Sequence, residues 1–208
     1  MFLLANHRTH FATENVVLAS GDGATLDASS AISDSTDDDV RKVDLLKGAG
    51  FFTVNKNGRR FVVLAGEVTV EALGTEFEVS RLSDSVVVSV REGLVEVSRS
   101  GNAWRLHPGE RVKLSFEGTR AFQVASSSVA GWRERQLLMD GMTLGEVASI
   151  VGRRLPGKVI VLGNELRSIE LAGGLDLTKP LSALQTIAAA SEASVYQITP
   201  YLTIVRAN

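Results

Sequence analysis

Six consecutive residues, Glu67-Val68-Thr69-Val70-Glu71-Ala72, alternate polar and apolar side chains without a break. Successive side chains of an extended chain point to opposite faces, so Val68, Val70 and Ala72 share one side and Glu67, Thr69 and Glu71 the other. A half-buried β-strand satisfies that pattern and a helix does not. The alternation returns at Glu76 to Ser80, Val86 to Arg91, Leu94 to Ser98, Trp104 to Leu106 and Arg111 to Leu114. Val43, Leu45, Phe52, Val54, Phe61 and Val63 supply earlier inward candidates. Turn residues punctuate the runs at Gly21-Asp22-Gly23, Asn57-Gly58, Gly66, Gly93, Gly101-Asn102 and Pro108-Gly109. Such pairs provide the positive φ that tight hairpins need. Residues 14–125 therefore predict an all-β domain, either a barrel or a solenoid-like stack of hairpins.

The pattern changes after Ser126-Ser127-Ser128, and 126–131 reads as a linker. Residues 132–208 predict a small α+β domain of two βαβ-like units. Leu137 to Met139 is strand-like. Thr143-Leu144-Gly145-Glu146 has capping-box spacing, with Thr143 as N-cap and Glu146 at N3. Leu144, Val147, Ala148, Val151 and Leu155 follow as one apolar helical stripe, ended by Pro156-Gly157. Val159 to Leu162 reads as a buried strand, and Ile169 to Leu175 as the strand of a second cycle. Pro180 suits the first turn of a helix. Leu181, Leu184, Ile187 and Ala188 line one face of that helix, and Val195 to Ile198 and Tyr201 to Val205 close the chain as strands. Leu144, Val147, Val151, Leu184 and Ile187 are assigned to packing.

Chemistry finds little to work with. Lys+Arg 22 against Asp+Glu 24 leaves a formal charge of -2, with no broad footprint for nucleic acid or anionic lipid. Cys 0 excludes disulfides, thiolate metal sites and Cys nucleophiles. Met1 to Ala5 is apolar, but Asn6, His7 and Arg8 stop it short of a signal-peptide core, and residues 1–13 read as a linker stub. The acidic run Asp34 to Asp39 lacks the Gly and the Glu of a calcium loop and reads as a solvated turn. His7 and His10 lie in the N-terminal stub, and His107 precedes a turn. Glu67 and Glu71, or Glu76 and Glu78, sit outward on strands. HExxH, GxSxG and Walker motifs are absent. Gly48-Ala49-Gly50 leads into Phe51-Phe52 and no helix, so it is no dinucleotide fingerprint. Arg59-Arg60 and Arg153-Arg154 lack interleaved aromatics and make no nucleic-acid site. No catalytic residue, metal or cofactor is expected, and the chain is not expected to be an enzyme.

The order of short blocks is more specific. Gly21-Asp22-Gly23 with Leu26, Ala28 and Ser30 is followed by Arg41, Val43, Leu45-Leu46 and Gly48. Phe51-Phe52 with Val54, Phe61-Val62-Val63 with Ala65-Gly66, and Leu73-Gly74-Thr75 with Phe77 and Val79 come next. Val88, Val90, Glu92-Gly93, Val95 and Val97, then Leu106, Pro108-Gly109 and Glu110, complete the series. This sequence of blocks resembles the periplasmic FecR domain. Ala49 stands where a Glu is usual and Arg60 where a Pro usually precedes Phe; both departures bear on local turn and packing geometry. Trp132 and the residues from Leu137 onward are similar to the short secretin and TonB-receptor N-terminal (STN) module.

The resemblance implies the periplasmic, signal-receiving part of a single-pass inner-membrane anti-sigma regulator. Such a part binds the N-terminal signalling domain of an outer-membrane TonB-dependent siderophore transducer and relays the signal to an extracytoplasmic-function (ECF) sigma factor controlling iron-uptake genes. The sigma factor itself is engaged only through a cytoplasmic segment that this chain lacks. Docking is expected at a strand edge of the C-terminal module, where unpaired backbone groups accept an added strand. The candidate partner-binding residues are Val159, Val161, Leu162, Leu166, Ile169 and Leu171. The β-rich half would serve as a spacer or a proteolytic gate. The alternatives are a non-catalytic ligand-binding β domain, which Trp 2 and Tyr 2 in the whole chain make thin, and a secretin-like assembly module.

Overall fold

The computed structural model describes residues 12–36 and 40–208. His7, His10, the apolar start and Asp37 to Asp39 lie outside the described residues. The chain divides into two compact units between Ala130 and Gly131.

The N-terminal unit is built of β1 (Glu14–Val17), β2 (Gly23–Leu26), β3 (Ala31–Asp34), β4 (Arg41–Thr53), β5 (Phe61–Ala65) and β6 (Val68–Ala72). It continues with β7 (Glu76–Arg81), β8 (Ser85–Glu92), β9 (Val95–Arg99), β10 (Asn102–Leu106), β11 (Glu110–Ser115) and β12 (Gly118–Gln123). These strands form one sheet in the order β10-β9-β6-β5-β4-β7-β8-β11-β12, curled into a half-barrel, with β2 and β3 also paired to β4 and β1 to β2. Hairpins account for half of the neighbours in that order, β9-β10, β5-β6, β7-β8 and β11-β12, because short turns join strands that then pair antiparallel. The pairing of β4 with β5 is parallel. Of the two architectures the sequence leaves open, the curled sheet is the one adopted.

The alternation sets the core. Val68, Val70 and Ala72 are buried, as are Val43, Leu45, Phe61, Val63, Phe77 and Val79. Phe52, Phe61 and Phe77 meet ring to ring at its centre, with centroids 5.5–6.4 Å apart.

Strand β4 joins the two halves of the sheet. Its first part pairs with β3 and β5, and its second, from Gly48 to Thr53, with β7. The corner between them depends on Gly48, whose φ is +81°; a Cβ there would lie 2.1 Å from Ser30 Oγ and 2.7 Å from Ser30 Cα. Only glycine fits both the left-handed backbone and the contact. Arg81 Nη1 donates to the carbonyls of Leu45 and Leu46 at this corner, at 3.3 and 3.0 Å.

At the start of β4, Arg41 is fully buried. Its Nη1 donates to both carboxylate oxygens of the equally buried Asp22, at 2.8 and 2.9 Å. Its Nη2 donates to the Arg59 carbonyl, and its guanidinium lies 5.7 Å from the centroid of the Phe61 ring. Asp22 also accepts from Asn55 N–H at 2.8 Å and from Ser20 Oγ at 2.6 Å. A buried charge pair is tolerated when most of its remaining valences are filled in this way, although Arg41 Nε has no hydrogen-bond partner among the described residues. The departure at Arg60 is accommodated at the surface, where Arg60 pairs with Glu71; Ala49 is buried within β4.

The unit ends in a 3-10 turn at Ser126–Ser128, and Ala130 N–H donates to Glu78 Oε2 at 3.2 Å. Ala130, within the stretch expected as linker, is thereby tied to β7.

The C-terminal unit holds a 3-10 turn (Gly131–Glu134), β13 (Gln136–Leu138), β14 (Met142–Thr143), α1 (Leu144–Gly152), β15 (Lys158–Val161), α2 (Asn164–Ser168), β16 (Glu170–Leu171), β17 (Gly174–Asp176), α3 (Pro180–Ala190), β18 (Ala193–Thr199) and β19 (Leu202–Ala207). The capping box at Thr143 and Glu146 is present: Thr143 N–H donates to Glu146 Oε2 at 2.9 Å, and Glu146 N–H to Thr143 Oγ1 at 3.4 Å. Pro180 opens α3 at its first turn. Leu144, Val147, Val151, Leu184 and Ile187 are all buried, as assigned.

Three local expectations change. Helix α1 stops at Gly152, leaving Leu155 beyond it. The second cycle begins with the short helix α2, and Ile169 to Leu175 is divided into two short strands. The run Val159 to Leu162 is covered on one face only, because β15 is an edge strand whose sole neighbour among the described residues is β19, and α1 packs on one side of it.

Two consequences are measurable in urea unfolding. Asp22→Ala strands the Arg41 charge in the interior and costs about 3–5 kcal/mol, while the double variant Asp22→Ala/Arg41→Met loses less than the two single losses summed. Leu184→Ala opens a cavity between α3 and α1 and costs about 2–5 kcal/mol. Acid acts on a third feature. The Asp176 carboxyl is held below its ordinary range because Thr178 donates its backbone N–H at 2.8 Å and then its hydroxyl at 2.8 Å. A depressed carboxylate contributes stability above its unfolded pKa and loses it as pH falls through the folded value. The gap in thermal midpoint between the wild type and Asp176→Ala is therefore largest near neutral pH and closes on acidification.

Candidate functional site

In the C-terminal unit β15, β19 and β18 form a sheet in that order, with β19 central. Strand β15 runs parallel to β19, and β18 antiparallel to it. One face is closed. Helix α1 packs on β15, α3 on β18, and the helices on each other. Val161, Thr203 and Val205 are buried there. Gly152 of α1 lies so close to β15 that a Cβ on it would meet Val159 Cγ2 at 3.1 Å.

The other face is open. The register aligns Ile160 with Ile204 and Ile204 with Tyr196, one row across three strands. Leu162 N–H donates to the Val205 carbonyl at 2.9 Å, which continues the ladder and keeps Leu162 in phase with Ile160. Ile160 is 39% exposed, Leu162 44%, Tyr196 42%, and Ile198, at the β18 bulge, 57%. Leu202 lies in phase with Ile204, and Tyr201 stands exposed in the turn that precedes it. Several large apolar side chains grouped in this way form an exposed apolar patch, a kind of surface at which proteins commonly associate.

The turn that brings β19 beside β15 needs a glycine. Gly157 has φ +79°, and a Cβ there would fall 1.9 Å from the Tyr201 carbonyl oxygen. Lys158 N–H donates to that same carbonyl at 2.9 Å, which fixes the register of the parallel pair.

Charge on the open face has one sign. Its strand positions are Lys158, Ile160, Leu162, Ser194, Tyr196, Leu202, Ile204 and Arg206, with no carboxylate among them. The Arg206 guanidinium lies 5.2 Å from the centroid of the Tyr196 ring. An apolar centre flanked by Lys158 and Arg206 suits a partner with an apolar patch and acidic margins.

The residues expected from the sequence are divided by this geometry. Leu162 lies on the open face. Ile169 is exposed between α2 and β16, and Leu171 is half-buried opposite Met142 in a separate two-stranded pair. Val161 and Leu166 are buried and Val159 faces α1, so these three belong to the interior. Ile160, Tyr196 and Ile204 escape the sequence reading. The signal that could have found them is the parity of Ile160 with Leu162, and of Leu202 with Ile204, in strands covered on one side.

Among the described residues no group of three or more His, Asp or Glu side chains could hold a metal ion. Among them, too, no helix is long and apolar enough to cross a membrane. His107 serves its turn: its N–H donates to Glu110 Oε2 at 2.8 Å. This bond, aided by Gln123, holds the Glu110 carboxyl below its usual range.

Comparison with known proteins bears first on the half-barrel. Residues 7–96 match the family model described as FecR protein. Two crystal structures of a candidate anti-sigma factor from Parabacteroides distasonis ATCC 8503 share the fold. One has a TM-score of 0.85 at 22% identity, covering 96% of this chain and 97% of the other. The second has a TM-score of 0.84 at 22% identity, covering 96% of each chain. No curated protein matches the chain. The match lies within the N-terminal unit and covers less than half of the chain, so it marks a FecR-type domain at residues 7–96.

Proposed function

We propose that this chain is the periplasmic receiving part of a FecR-type sigma-factor regulator of the inner membrane. Its C-terminal unit binds the N-terminal signalling domain of an outer-membrane TonB-dependent siderophore transducer. The signal then passes to an ECF sigma factor that controls iron-uptake genes. The FecR domain supports the regulator class, and the strand-helix-strand repeats support an STN-like reading of the C-terminal unit. The observation that carries the docking reading is the open face of β15, β19 and β18, apolar at its centre and cationic at its margins.

The face offers a partner two kinds of contact. Ile160, Ile204 and Tyr196 supply apolar area, and aromatic anchors of this kind dominate protein interfaces. The outer edges of β15 and β18 supply backbone groups for strand addition. In this reading the half-barrel is a rigid spacer that holds the receiver at a set distance from the membrane.

Calorimetric titration of the full chain with the signalling domain of a transducer from the same genome tests the reading. Tyr196→Ala and Ile160→Ser each weaken binding by about tenfold or more, with thermal midpoints close to wild type because both side chains are part-exposed. Absence of binding, or binding that neither substitution changes, contradicts the proposal.

A further inference from the structure

At one end of the half-barrel, the turns β5–β6, β7–β8 and β11–β12 surround an open cleft of about 250 Å³. Val68, Val86 and Leu114 form its floor, and all three are buried. One wall is fixed by Arg99, whose Nη1 donates to the Ser115 carbonyl at 2.9 Å and so ties β9 to β11. Phe116, in the turn after β11, stands on the rim and is 91% exposed, the most exposed large apolar side chain among the described residues.

Size and charge narrow what this cleft takes. It is smaller than the roughly 300–1,000 Å³ of ordinary small-molecule sites, yet larger than the roughly 150 Å³ cavity that admits a benzene ring. One aromatic side chain fits it. The rim carries Arg81 and Arg99 together with Glu67 and Asp84, two cations and two carboxylates. A rim of a single sign would select an oppositely charged ligand. A balanced rim complements itself.

A knob beside a hole, on a surface of balanced charge, is what an isologous two-fold contact requires, because one patch must meet its own copy. We propose that two copies of this chain pair through this end of the half-barrel, each seating Phe116 in the cleft of the other. Arg81 and Arg99 of each rim then meet Glu67 and Asp84 of its mate. The proposal concerns the N-terminal unit and is independent of the docking face on β15, β19 and β18.

Sedimentation equilibrium of the full chain, from about 1 μM to about 1 mM, spans the affinities that so small a contact can reach. The expected result is a concentration-dependent dimer. Phe116→Ser raises its dissociation constant by about tenfold or more, and Glu67→Lys, which unbalances the rim, weakens it in the same direction. Unfolding curves of both variants should match wild type, which separates a lost contact from a lost fold. A chain that stays monomeric throughout overturns the proposal. So does a dimer that Phe116→Ser leaves intact, including one that Tyr196→Ala dissolves instead.

Discussion

The ion pair between Asp22 and Arg41 fixes the start of β4, and the two halves of the sheet meet on that strand. Asp22 belongs to the turn between β1 and β2, whereas Arg41 begins the longest strand of the unit. Their contact closes a chain separation of 19 residues and adds Asn55 and Arg59 to the same knot. A guanidinium without partners at that depth would be strongly destabilising. With a carboxylate, a carbonyl and the Phe61 ring around it, the group selects one register for the strands it touches. Gly48 then turns β4 from one half of the sheet into the other, and Arg81 covers the carbonyls exposed at the bend. The hairpins that follow close the half-barrel around three phenylalanines.

Asymmetry in the C-terminal unit has the opposite consequence. Two helices cover one face of a three-stranded sheet and nothing in the chain's own C-terminal unit covers the other. The exposed residues there are isoleucine, leucine and tyrosine, with lysine and arginine at the borders. Exposure of such a surface costs solubility, and association with a partner removes that cost. In the proposed reading, docking on this face draws on shape, apolar area and charge.

Much of this was legible in the primary structure, for reasons that differ from residue to residue. Val68, Val70 and Ala72 announced their burial because a strand covered on one side must alternate. Thr143 and Glu146 announced the start of α1 because the capping box is a local contact between residues three apart. Arg41 gave no such sign: its burial depends on Asp22 arriving from a different hairpin, and no local period encodes that meeting. The open face was obscured for a related reason. Val159 to Leu162 is apolar throughout, and an unbroken apolar run does not reveal which parity meets a helix. Only the placement of α1 against Val159 identifies Ile160 and Leu162 as the outward pair. Ile204 and Tyr196 join them through a register set by Gly157 and the Tyr201 carbonyl, a contact between segments more than forty residues apart.

Amide hydrogen exchange of the full chain, with and without a transducer signalling domain, tests most directly whether this protein receives its signal by docking on that sheet. Added protection is predicted at the edge strands β15 and β18, while the amides of central β19, already bonded on both sides, change less. Protection confined to the half-barrel, or none at all at a saturating concentration of the partner, would contradict docking on the open face.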